Sequence, residues 1–557
     1  MSIADISNVF GFLGGLGMFL YGMSIMADGM QKTAGTKMSS FLGMLTDNRV
    51  LGVVLGALIT AIIQSSGATT VMVVGFVSAG VLNLTQATGV IMGANIGTTI
   101  TAWIVSMSQM GDAMEVLNPT FYAPFIIGVG ALLLVFCSGQ KKKTAGEILI
   151  GLGFLFMGLD FMSGSINPYT EAPIFANAFE VLGGNPLLGM ITGALVTALL
   201  QSSSASVGIL QTLAMNGVVT TSAAIYITLG QNIGSCVTAL LSSIGGSRTA
   251  RQAAVIHLLF NVIGAITFGT GGFILFKFIN PIFGSSDINA VQISIFHTVF
   301  NLTNTVILFP FVKQMVALSG MLVKAKEEEI PAADEEVASA VRHLDERIFE
   351  SPAFAVDTAK LEVVHMGNIT RENVQRSFDA LLNGSEKAAQ KVYKFEETIN
   401  NMEKVLTGYL VKINNLSLTE HQKRIMNNLF YSISDIERIG DHAENLAELA
   451  EYMRKNNLEF SETGMKDLQQ ISDSVMKAFQ CAIEARSNSD MNMVRKVSQY
   501  EDEVDNLEEE MREKHIERLS QGLCEPSAGV VFLDIISNLE RISDHAYNLA
   551  GYVKAEL

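Results

Sequence analysis

Eleven residues, Gly56-Ala57-Leu58-Ile59-Thr60-Ala61-Ile62-Ile63-Gln64-Ser65-Ser66, return 137 positions later as Gly193 to Ser203, and the only changes swap one aliphatic for another. At the same offset Gly93-Ala94-Asn95-Ile96-Gly97-Thr98-Thr99 returns as Gly230-Gln231-Asn232-Ile233-Gly234-Ser235-Cys236. Shifted by one residue, Gly15, Gly17 and Gly22 return as Gly151, Gly153 and Gly158. Three blocks in one order mark an internal duplication, with repeats at about 9–140 and 145–317. Any fold must therefore accommodate two copies of one unit.

Both copies are too apolar for surface helices. Runs such as Phe121 to Cys137, Ile148 to Met162 and Ala253 to Phe276 approach, with their flanks, the about 20 residues that cross hydrocarbon. Val9 to Met26 lacks a basic start and a small-residue cleavage site, so it reads as a span rather than a removable leader. Residues 1–323 balance their charges, so the whole net charge of −17 falls beyond them. This predicts a membrane domain over 1–323, a linker over 324–356 with a charged stretch from Lys326 to Glu336, and a helical domain over 357–557.

Basic residues gather in alternate loops: Lys32, Lys37 and Arg49; Lys141 to Lys143; Arg248 and Arg251; and the segment from Lys313. The loops holding Asp112 and Glu115, Glu171 and Glu180, and Asp287 have none. Cytoplasmic basic loops give crossings at about 9–27, 86–108, 120–138, 145–163, 222–244, 252–276 and 291–317, with Lys277 the one misplaced charge. Segments 50–80 and 187–219 must then enter and leave on one side, as re-entrant hairpins tipped by Gln-Ser-Ser; the alternative makes each a full span. Hairpins turn the second copy upside down. Inverted repeats with broken segments are the plan of many secondary transporters, with the substrate near mid-membrane.

Side-chain amides and irregular backbone inside lipid are costly unless they face protein or a wet cavity. Here they recur at equivalent places. Each hairpin tip ends one half-helix and starts another, offering free N–H groups to an oxyanion and free carbonyls to a small hard cation. Hydroxyls and amides serve either ligand. The competing reading, close helix packing by small residues, suits Gly15, Gly17, Gly22 and their copies better than a long amide beside two hydroxyls. His257 with Asn261, and His297 with Asn301, share helix faces and read first as interhelical hydrogen-bond partners, with a proton or substrate role as the alternative. Asp160 is the one acid well inside a span; it could touch a cation or lie near the outer end.

The paired Gln-Ser-Ser segments and the Gly-Ala-Asn-Ile-Gly-Thr-Thr block with its copy resemble the sodium/phosphate cotransporter family over about 9–317. In that family the two tips meet to bind phosphate and sodium. The resemblance assigns phosphate to Gln64, Ser65, Ser66, Gln201, Ser202 and Ser203, with Asn95 and Asn232 lining the site. Candidate sodium ligands are the polar clusters around them: Thr69, Asn95, Thr98, Thr99, Ser204, Asn232, Ser235 and Thr238. Members often carry a third serine in both copies; Gly67 stands there in the first, which removes one hydroxyl.

The acidic tail reads as amphipathic helix and is itself duplicated. Asp435-Ile436-Glu437-Arg438-Ile439-Gly440-Asp441-His442-Ala443 parallels Asn538-Leu539-Glu540-Arg541-Ile542-Ser543-Asp544-His545-Ala546. Each copy allows three helices, near 360–456 and 463–556. The signature resembles PhoU, the phosphate-signalling regulator, whose carboxylates hold iron, zinc or similar metals. That resemblance marks Glu437, Asp441, Glu540 and Asp544 as candidate ligands; the alternative is a solvated face of Glu–Arg pairs. Leu344 to Phe354 resembles the linker of bacterial fusions of the two domains.

The expected fold is thus all-α: a polytopic membrane protein of inverted repeats with two re-entrant hairpins, followed by a soluble double three-helix bundle. Four scattered cysteines give no disulfide framework or zinc site. No Walker-type loop supports ATP-driven transport, no enzyme activity is expected, and the acidic balance argues against nucleic acid. The expected function is sodium-coupled movement of inorganic phosphate across the cell membrane (inner or plasma), with the tail cytoplasmic and regulatory and a homodimer left open. The alternatives are a phosphate-responsive sensor, or an exporter of phosphate or another oxyanion.

Overall fold

The computed structural model describes residues 3–34, 48–109, 119–170, 172–323, 337, 339–340, 343–522 and 525–557. Lys37, Asp112, Glu115, Glu171, Cys524 and the charged stretch Lys326 to Glu336 lie outside them. Two compact units divide the chain: Met1–Glu328 with Asp345–Ser351, and Glu329–Leu344 with Pro352–Leu557.

In the first unit α1 (Ile3–Ala34) is followed by α2 (Arg49–Ile63), α3 (Ser66–Ser78), α4 (Leu84–Ser106), α5 (Pro119–Phe136) and α6 (Gln140–Ile166). Then come α7 (Pro173–Gly184), α8 (Pro186–Leu200), α9 (Ser203–Met215), α10 (Thr221–Gly234), α11 (Cys236–Ser242), α12 (Arg248–Ile274), α13 (Pro281–Ser285), α14 (Ala290–Leu308) and α15 (Val312–Leu322). Among the described residues seven stretches are long and apolar enough to cross a membrane: α1, α4, α5, Gln140–Tyr169, Thr221–Ser242, Arg248–Ile279 and Ala290–Leu322. They overlie the seven crossings expected from the sequence. This is a multi-pass membrane protein.

Duplication reappears in the packing. A Cβ on Gly56 would strike the Val90 carbonyl, and one on Gly93 the Val53 carbonyl, where α2 lies against α4. The copies do the same: Gly193 meets Ile227 and Gly230 meets Met190, where α8 lies against α10. Backbones this close exclude any side chain. The equivalent helices α1 and α6 cross each other antiparallel, Gly15 against Gly158 and Gly22 against Gly151. Gly17, expected to pack, instead faces open space, because it points away from the α6 contact that Gly15 and Gly22 make; its copy Gly153 packs against Ile127 of α5. Asp160 is exposed on α6.

Residues 345–351 fold with this unit. Ile348 is buried, and Arg347, held by Asp345 at 2.8 Å, lies over Gly75 and Gly246.

The second unit has six helices: α16 (Pro352–Asn383), α17 (Glu386–Ile413), α18 (Glu420–Lys455), α19 (Glu462–Asn488), α20 (Met491–Ser520) and α21 (Pro526–Glu556). They form two three-helix bundles that meet along α18 and α21. There Asp435 accepts from Tyr552 Oη and joins His545 Nδ1, both at 2.7 Å, and Arg486 pairs with Glu556 in the interior.

Candidate functional site

Each Gln-Ser-Ser breaks a helix in the same way. Gln64 ends α2 in the left-handed region (φ 57°, ψ 21°) and Gln201 ends α8 there (φ 52°, ψ 22°). These are two of four non-glycine residues with positive φ among those described. Such a conformation costs about 1–3 kcal/mol and persists where the surroundings impose it. Ser65 and Ser202 are extended, and their Oγ atoms accept the Ala68 and Ala205 N–H groups at 3.1 Å, capping α3 and α9. The next two N–H groups of each helix, Ser66 and Gly67 or Ser203 and Ser204, have no intrahelical acceptor.

The two tips touch: Ser66 Oγ lies 3.3 Å from Ser203 Oγ. Between them is a cavity of about 60 Å³, lined by all six Gln-Ser-Ser residues with Gly67, Ser204, Ser235 and Thr238. No lining group carries a formal charge. The volume suits a small ion and is far below the about 300–1,000 Å³ of organic-ligand pockets. A Cβ at Gly67 would meet Thr238 Oγ1 at 3.5 Å, ordinary contact, so a serine would fit there and the glycine leaves that space to the cavity.

Three of the eight sodium candidates, Ser204, Ser235 and Thr238, reach this cavity. The others turn back. Asn95, Thr98, Thr99 and Asn232 donate to carbonyls of their own helices, the usual alternative for short polar side chains in membrane helices. Thr69 donates to Ser65 O and accepts from Thr60, both at 3.0 Å.

Beneath identical sequence the copies differ. Thr101 donates to Gln64 Oε1 at 2.9 Å, and the Gln64 amide N–H reaches Ala61 O. Thr238, equivalent to Thr101, lines the cavity, and Gln201 is exposed. Thr60 and Thr69 bond each other, whereas their counterparts Thr197 and Ser206 have buried hydroxyls without partners, as do Thr228 Oγ1 and Gln231 Oε1. Buried oxygens are rarely left unpaired. Sequence reading gave no role to Thr197 and Gln231, although both lie inside the repeated blocks, and Thr228 lies outside them; their one signal was the copy relation to Thr60, Ala94 and Ile91.

The His-Asn pairs meet the interhelical expectation only at Asn261. Asn261 and Asn301 donate to His257 O and His297 O within their own helices, and Asn261 also reaches Cys236 Sγ at 3.3 Å. Both ring nitrogens of His257 and Nδ1 of His297 have no partner. The amides satisfied themselves on backbone, so the rings gained nothing from them.

In the second unit each bundle gathers carboxylates. Glu396, buried on α17 with both oxygens unpartnered, faces Asp441, Glu444 and Glu437; burial first, then these neighbours, push its pKa up to about 8. In the other bundle Glu501, Asp505 and Asp544 bring ligand oxygens within 4.8 Å of one another, and Glu540 is raised by burial, then by Asp544 and Asp505. Glu396, Glu501 and Asp505 lie on helices without the repeated signature, so the sequence did not single them out. Both groups offer only oxygen, which fits hard divalent cations.

Seven membrane-crossing stretches, a neutral cavity where two broken helices meet, and a double helical bundle define a polytopic membrane protein with an appended helical domain. Residues 18–164 and 171–280 match the Na+/Pi-cotransporter family model, and 363–450 and 468–553 match the PhoU domain. The membrane unit belongs to the Na+/Pi-cotransporter family, and the chain continues into a PhoU domain. YjbB of Salmonella typhimurium, named for inorganic phosphate export, is 23% identical over 540 residues, 95% of this chain and 94% of that protein. The human sodium-dependent phosphate transport protein 2B is 39% identical over 105 residues, 18% of this chain and 15% of that protein. The crystal structure of PhoU from Pseudomonas aeruginosa aligns with 36% of this chain and 96% of its own, at 25% identity and a TM-score of 0.35.

Proposed function

We propose that this protein couples sodium ions to the movement of inorganic phosphate, and that both are held where Ser66 meets Ser203. The contact between the tips carries the reading. Two helix N-termini aim four uncommitted N–H groups into a cavity of ion size, where backbone dipoles and hydroxyls bind an oxyanion without a fixed cation. Sodium would take oxygens from the same walls, Ser204, Ser235 and Thr238, and from the unpaired Thr197, Ser206 and Gln231. The inverted arrangement of the repeats, with the tips as re-entrant hairpins, is supported by the antiparallel crossing of the equivalent helices α1 and α6.

Radiolabelled phosphate flux into proteoliposomes tests the function. Uptake should follow an inward sodium gradient, and Gln64→Ala or Gln201→Ala should abolish it with protein still in the membrane. Equal uptake with and without sodium would reject the coupling, and wild-type flux in both variants would reject the site. Net export is a second reading, favoured by YjbB, which matches nearly end to end and is named for export. The PhoU domain would act as the regulatory part, cytoplasmic by the placement of basic loops. Its Glu501, Asp505 and Asp544 group would hold a divalent cation that relieves carboxylate repulsion, with Glu540 beside it.

A further inference from the structure

Lys277 is the cation that breaks the charge pattern of the membrane loops. It ends the helix that begins at Arg248, some 43 Å away at about 1.5 Å per residue. That distance spans a bilayer with its headgroup layers, so Lys277 lies at headgroup level on the side opposite Arg248. It is presented by a π-helical turn, Leu275–Ile279, a distortion often kept at functional places. Its Nζ sits 5.0 Å from the Phe273 ring, and it makes no ion pair among the described residues.

Two cavities flank Phe276, the residue before it. One, of about 460 Å³, holds Lys277, Glu180 and the hydroxyls of Thr220, Ser222 and Ser285. The other, of about 650 Å³, is an apolar groove walled by Phe268, Gly271, Leu275, Phe296, Val299 and Ile307. Phe276 lines both and is fixed between Tyr226 and Phe283, with ring centroids 6.1 and 6.0 Å away. An apolar slot thus opens beside a pocket holding one cation and one anion that do not pair with each other.

We propose that this double cavity binds a phospholipid with a phosphoethanolamine headgroup. The acyl chain fills the groove. The phosphate takes Lys277 and the hydroxyls, and the ammonium takes Glu180. A headgroup with phosphate alone leaves Glu180 facing an anion, and a trimethylammonium has no N–H to donate to it. The assignment is independent of what the transporter carries.

The full-length protein, reconstituted with equal phosphatidylethanolamine, phosphatidylglycerol and phosphatidylcholine and examined by native mass spectrometry, should retain phosphatidylethanolamine. Lys277→Gln and Glu180→Gln should each cut that preference about tenfold, the loss of one charge-assisted hydrogen bond. Gly271→Leu, at a position where a Cβ meets nothing within 4 Å and which lines the groove, should block it and remove bound lipid. Bound lipid that mirrors the bulk mixture, a preference for phosphatidylglycerol, or wild-type retention in Lys277→Gln would overturn the proposal. So would equal binding of soluble glycerophosphoethanolamine, which lacks the acyl chain.

Discussion

Thr101 and Thr238 hold the same place in the two copies, yet only Thr101 grips the glutamine of its own tip. Removing that hydroxyl leaves a buried amide oxygen unpaired, a loss of about 1–3 kcal/mol. Thr101→Val is therefore expected to slow sodium-driven phosphate flux roughly 5- to 150-fold, with Thr101→Ser near wild type; unchanged flux in the valine variant would detach Gln64 from the transport cycle. The duplicated motifs disclosed which residues form the tips, because each break must carry its own cap and amide; that the tips meet was an expectation from the family resemblance. It did not disclose the unequal hydrogen bonding, since identical words chose different partners only after packing. Glu396 gives a second residue-scale expectation. Its pKa, raised from the ordinary 4.5 to about 8, means the folded form keeps a proton the unfolded form releases. Stability of the second unit should therefore fall as pH rises from about 4.5 to about 8. Melting curves in chelator should show a higher midpoint at pH 6 than at pH 8, with a flatter dependence in Glu396→Gln; identical slopes in the two proteins would contradict this.

At the scale of helices, glycine separates contacts that the repeat pattern could not. Gly15 sits where a side chain would strike the backbone of Gly158 and Met162, while Gly17 faces open space. Gly15→Val should sharply reduce the yield of monodisperse protein in size-exclusion chromatography, and Gly17→Val should leave it near wild type. Similar yields from both would mean that α1 and α6 do not cross as described. Sequence periodicity located these helices well, since their apolar length is fixed by the bilayer. The facing of any one glycine depends on rotation about the helix, which three recurring glycines do not determine. The same limit applies to α17 and α20, whose carboxylates became neighbours of the Glu-Arg-Ile signature only through bundle packing.

Across the whole molecule, the balance of basic loops gives an orientation open to direct test. In a cysteine-free background, a cysteine at Lys142 should react with an impermeant thiol reagent only from the cytoplasmic side, and one at Asp287 only from the other. Labelling of both from one side would cancel the inverted arrangement. The chain divides into two units near the place where its neutral, apolar part gives way to its acidic part. The folding of residues 345–351 with the first unit was not legible in the sequence, since that segment is as charged as the unit it leaves.

The walls around Ser66 and Ser203 are hydroxyl, amide and backbone throughout. An anion there, stripped of most of its water, meets dipoles but no counter-charge, and an uncompensated buried charge is among the costliest states a protein can hold. Whatever positive ion arrives with it lowers that cost for both. Interdependence of the two solutes would then follow from the chemical blandness of the chamber, and a single lysine placed in its wall would be enough to let the anion enter alone.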